Sequence, residues 1–87
     1  MSASTIAASP NPAPADSRVV VAWTGADGGW VFYEGPTVRG YISAGTGDGS
    51  SSLWVEAAGT WTLELQGSAP HGHKPKTLAS AVLEVED

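Results

Sequence analysis

Leu53 to Leu65 reads LWVEAAGTWTLEL, and its second half alternates as a β-strand does. Across 60–66, Trp61, Leu63 and Leu65 share one face while Thr60, Thr62, Glu64 and Gln66 share the other. Period-two alternation of this kind describes a strand with one buried and one wet face. Leu53 to Val55 closes a preceding strand, and in EAAGT a glycine at Gly59 suits the left-handed position after a type I turn at Ala57 and Ala58. That spacing predicts a three-residue hairpin loop with a bulge.

The same punctuation extends in both directions. Strands are predicted at 18–24, 30–34, 37–43, 51–56, 60–66 and 78–86, separated by Gly, Asp and Ser clusters, and no helical period runs through the chain. In the last of these Leu83 and Val85 point inward against Glu84 and Glu86; in the first, Val19, Val21 and Trp23 oppose Val20 and Ala22, which suits a strand covered on both sides. Trp23 and Trp30 enclose W-x-x-A-x-G-x-W, as do Trp54 and Trp61. Asp27-Gly28 offers a reversal like that at Gly59, so each tryptophan pair is predicted to sit across a tight hairpin. The expected fold class is all-β: a small antiparallel β-sandwich, or a partly open barrel.

Residues 1–17, MSASTIAASPNPAPADS, differ in character: Met1 and Ile6 are their only large apolar side chains, and Pro10, Pro12 and Pro14 punctuate them. They read as an extended, polyproline-like N-terminal arm, ordered only where it lies on something, ahead of a sandwich domain at 18–87. No Lys or Arg precedes Arg18, and the apolar run TIAA is short, so neither a secretory signal nor a membrane span is expected.

The thirteen residues Leu53 to Leu65, and within them Ala58-Gly59-Thr60-Trp61-Thr62-Leu63, resemble the V-x-L-x-A-G-T-Y-T-L-x-V hairpin of immunoglobulin-like and prealbumin-like β-sandwich modules. Trp61 stands where those families usually carry Tyr, and the Cys-Trp-Cys arrangement of antibody domains is missing. The resemblance covers about one seventh of the 87 residues. Such modules occur in bacterial surface proteins, extracellular enzymes and the virions of tailed phages, so the resemblance implies a sandwich with an adhesive or structural role.

Composition narrows the function classes. A chain of 87 residues holds one small domain, and without cysteine it has neither disulfides nor thiolate metal sites to staple it. Nine acidic residues against four basic ones give a net charge of −5, the wrong sign for neutralising phosphates. His71 and His73 lie in the loop sequence PHGHKPK between two lysines, unfavourable for a cation, and GTGDGSSS, Gly45 to Ser52, lacks both the carboxylates of a calcium loop and the lysine of a phosphate loop. It reads as a flexible surface loop. Glu84, Glu86 and Asp87 at the chain end read as solvated charges.

These readings lead to a non-catalytic structural or assembly protein, with no catalytic, cofactor or metal residues expected. The favoured form is a phage virion component, such as a capsid decoration (cement) protein or a tail protein, binding neighbouring subunits through its arm and sheet surface. Its partners are then major capsid or tail subunits or further copies of itself, with no nucleic acid and no membrane, and its location the virion. The alternative is a carbohydrate-binding or host-cell adhesion module using exposed Trp and Tyr; a cytoplasmic regulatory or adaptor domain of a host cell is a third reading. The residues expected to meet a partner are Ile6, Pro10, Pro12 and Pro14 on the arm and Trp30, Tyr33 and Trp54 on the strands. In WVFYE either Trp30 and Phe32 or Val31 and Tyr33 face outward, and Trp54 opposes Leu53 and Val55.

Overall fold

The computed structural model describes residues 4–69 and 72–87. Eight strands run in the order β1 (Thr5–Ser9), β2 (Ala13–Pro14), β3 (Ser17–Asp27), β4 (Trp30–Glu34), β5 (Arg39–Ser43), β6 (Thr46–Val55), β7 (Gly59–Gln66) and β8 (Thr77–Glu86). They form an all-β pair of sheets, one ordered β1-β3-β6 and the other β2-β8-β7-β4-β5. Every pairing is antiparallel except the short β2–β8 ladder.

Alternation sets which side chains meet between the sheets. Trp61, Leu63 and Leu65 of β7, Leu83 and Val85 of β8 and Val31 of β4 face Val19, Val21 and Trp23 of β3, Leu53 and Val55 of β6 and Ile6 of β1. No polar or charged residue is buried among the described residues. The two buried indoles each find an acceptor, as a desolvated N–H must. Trp23 Nε1 donates to the Ala44 carbonyl (3.1 Å) between β5 and β6, and Trp61 Nε1 donates to the Ala57 carbonyl (2.9 Å) between β6 and β7. Gly35 lies on the Trp61 ring so closely that a Cβ there would sit 2.5 Å from the indole.

From residue 4 on, the segment read as an arm is folded into the domain. β1 pairs with β3 from Thr5↔Thr24 to Ser9↔Val20, and Ile6, only 8% exposed, reaches the core. The chain then crosses to the other sheet, where Ala13 (1% exposed) and Pro14 pair with Val85 and Glu86. Asn11 supports the crossing as a strand residue would: its Nδ2 donates to the Val82 carbonyl (3.0 Å) and its Oδ1 accepts from the Glu84 N–H (3.2 Å). Ala15 N–H to the Glu86 carbonyl (2.6 Å) and Asp16 N–H to the Val55 carbonyl (2.7 Å) complete the attachment. Composition understated this segment because one isoleucine and backbone pairing suffice once a β-edge is there to receive them. Asn11→Asp, which removes the donor and sets a carboxylate oxygen against the Val82 carbonyl, is expected to cost about 1–3 kcal/mol in urea denaturation.

Three further expectations are corrected. The loop expected at 45–52 is mostly strand, because β6 runs from Thr46 and pairs with β3 as far as Asp27↔Thr46. Neither tryptophan pair spans a hairpin, since β3 to β4 and β6 to β7 both pass from one sheet to the other. Gly28 and Gly59 do take positive φ (96° and 138°), but the turns serve those crossings. Val20 and Ala22 are exposed, so β3 is covered on one side only.

The two flanks of the sandwich differ. On one, β1 packs against β8 and β7, and the Ser9-to-Ala13 crossing closes the gap. On the other, β6 and β5 are the free edges of their sheets, and the flank is open.

Candidate functional site

The open flank holds a cleft of about 380 Å³ lined by Tyr33 of β4, Val38 and Ile42 at β5, and Ser52, Leu53 and Trp54 of β6, with Glu56 at its rim and Trp61 at its floor. Tyr33 and Ile42 point toward the core side of their sheet yet stay half-buried, because the three-stranded sheet ends at β6. Tyr33 lies over Gly40, where a Cβ would fall 2.6 Å from its hydroxyl. Trp54 is 52% exposed on the opposite face of β6 from Leu53 and Val55.

The free side of β6 is the longer of the two open edges. Ten residues, TGDGSSSLWV, pair with β3 alone among the described residues, and Asp48 is the only charge on them. Natural sheets usually blunt such an edge with lysines, prolines or short length; β6 has none of these. Around it, the outer face of the three-stranded sheet carries Thr5, Ala7 and Ser9, then Val20 and Ala22, then Ser50 and Ser52, with Arg18 its one cation. Arg18 is the register partner of Trp54, near one end of β6. Asp48, near the other end, accepts a long hydrogen bond from the Gly25 N–H (3.4 Å).

A second hollow, about 320 Å³, lies on the outer face of the five-stranded sheet and is lined by Trp30, Tyr41, Gln66 and Pro75. Val31 is buried, so Trp30 and Phe32 turn outward, and Tyr41 joins them as the register partner of Phe32. Trp30 and Tyr41 meet edge to face (centroids 6.5 Å, 78° between planes), and Phe32 tilts against Tyr41 at 5.2 Å. Gln66 is opposite Trp30 on β7.

The residues expected to meet a partner therefore separate. Tyr33 and Trp54 share the open cleft, while Trp30, on the same strand as Tyr33, stands on the outer face of the five-stranded sheet. Pro10, Pro12 and Pro14 are exposed along the N-terminal crossing, whereas Ile6 is spent in the core and faces no partner. Tyr41, Gln66, Val38 and Ile42 were missed by the sequence reading. Only Tyr41 carried a usable signal: in RGYIS it alternates with Ile42, so one of the two had to face outward. His73 is exposed in the β7–β8 loop, and His71 lies outside the described residues. Among the described residues no helix is long and apolar enough to cross a membrane. No family model, curated protein or solved structure matches the chain.

Proposed function

We propose that the chain is a non-catalytic assembly module, of the kind that decorates a phage capsid or builds part of a tail, and that it joins neighbouring copies along the free edge of β6. The observation that carries this reading is the ten-residue β6 edge, unpaired on one side among the described residues and next to a cleft with half-covered Tyr33 and Ile42. An unpaired row of N–H and C=O groups is a template for another strand. A two-fold antiparallel pairing of two β6 strands, centred near Ser51, is isologous and closes as a dimer. It continues the three-stranded sheet over the open flank.

Charge supports the same geometry. Arg18 and Asp48 project from the same outer face near opposite ends of β6, so antiparallel pairing sets the partner copy's Asp48 beside Trp54, one strand further out than Arg18, where the attraction acts across the indole rather than as a direct pair. Sedimentation equilibrium at increasing protein concentration is expected to show a reversible dimer. Asp48→Arg and Arg18→Asp each weaken it, and the double variant recovers part of the loss, as a charge pair across an interface requires. A monomer at every concentration, or a dimer indifferent to both substitutions, contradicts the proposed edge.

A further inference from the structure

From the hollow on the five-stranded sheet we infer that this protein holds one neutral pyranose ring of a saccharide against the exposed faces of Trp30 and Tyr41, at a site separate from the β6 edge. Three features select that chemistry. The hollow's walls are apolar and aromatic: Trp30 is 49% and Tyr41 60% exposed, with Pro75 of the β7–β8 loop beside them. Both large rings are held by their neighbours, Tyr41 by Phe32 at 5.2 Å and Trp30 by Tyr41 at 6.5 Å, so a ligand meets a surface already in place. Preorganised aromatic surface loses little conformational entropy on binding.

The polar groups at hand are the Gln66 amide and the Tyr41 hydroxyl; among the described residues no charged side chain lines the hollow, and the nearest cations in sequence are Lys74 and Lys76, on either side of Pro75. A pyranose presents C–H groups on its flat face and hydroxyls round its rim. The first suit the faces of an indole and a phenol, and the second suit an amide that both donates and accepts. A phosphate or sulfate ester finds no cation among the described lining residues, and a nucleic acid meets a chain of net charge −5. At about 320 Å³ the hollow is at the small end of ligand sites, roughly 300–1,000 Å³, which fits one ring of a chain that otherwise runs along the sheet.

The test is titration of the full chain with cellohexaose, maltohexaose and N-acetylchitohexaose, followed by ¹H–¹⁵N NMR. At least one sugar is expected to shift the Trp30 indole N–H and the Gln66 side-chain amide. Trp30→Ala and Tyr41→Ala each weaken that binding about three- to tenfold, the loss of one aromatic contact. Val82→Ala, on the same outer face but away from the hollow, leaves affinity and shifts unchanged. Both aromatic variants retain the far-UV circular dichroism of the parent because their side chains face solvent; should one unfold, the other and the shift pattern still decide. The inference is overturned if no sugar shifts these signals at about 10 mM, well above ordinary weak affinities. Shifts that survive both substitutions overturn it equally. Dimer formation through β6 is read by mass and is independent of every one of these outcomes.

Discussion

Removal of residues 1–14 is expected to abolish cooperative folding. The truncated chain loses β1, the buried Ile6 and Ala13, and both hydrogen bonds from the Asn11 side chain to β8. It also turns β3 into a bare edge and opens the flank that the Ser9-to-Ala13 crossing closes. Deleting a buried Ile side chain alone costs about 2–5 kcal/mol. A domain of this size holds roughly 5–15 kcal/mol in all, so the combined loss reaches the whole margin. Far-UV circular dichroism and thermal denaturation of residues 15–87 are expected to show no cooperative transition, and Ile6→Ala in the full chain a melting temperature lower by about 10 °C or more. A truncated chain that melts sharply near the parent's temperature would show that the N-terminal segment only lies on a finished domain.

Trp61→Ala is expected to be the most damaging single substitution. The indole is fully buried, carries Gly35 against its ring and fastens the β6–β7 crossing through its bond to the Ala57 carbonyl. Removing a buried Trp costs about 3–5 kcal/mol, which again approaches the total. Trp61→Phe separates the two contributions: it keeps most of the packing but leaves the Ala57 carbonyl without its donor, at about 1–2 kcal/mol. Urea denaturation of the two variants checks the order. Equal losses would mean that the hydrogen bond, rather than the volume, matters most.

The strands most legible from sequence are those whose own side chains dictate them. In β7, Trp61, Leu63 and Leu65 alternate with threonines and Glu64, and in β8 Leu83 and Val85 alternate with glutamates, so the buried face announces itself. β1 and β6 are strands for another reason: β3 lies between them and supplies the Val19, Val21 and Trp23 stripe against which weak β-formers can pair. Tertiary context overrides low propensity in such places. Gly49 illustrates this, since a glycine that looks like loop chemistry leaves room for Trp23, whose ring would lie 2.9 Å from an added Cβ. The crossings were hidden for a related cause. A turn glycine marks a reversal of direction, but whether the next strand joins the same sheet or the facing one depends on what the core must cover.

The site was legible to the same degree. Outward Trp54 and an outward aromatic in WVFYE followed from alternation, while the grouping of Trp30 with Tyr41 and Gln66, and of Tyr33 with Ile42 and Leu53, depends on which strands pair. The two surfaces lie on different faces, so a protein assembled through β6 keeps its aromatic hollow open to solvent.

Amide hydrogen exchange along β6, compared between dilute and concentrated protein, tests the proposed edge most directly. The amides of 46–55 that do not bond to β3 are expected to exchange quickly in dilute solution and to gain protection as concentration rises. Those of β5, the edge strand on the same open flank, stay unprotected throughout. Protection that appears at β5 or on the Trp30–Tyr41 face instead, or no change in β6 at any concentration, would contradict assembly through that strand.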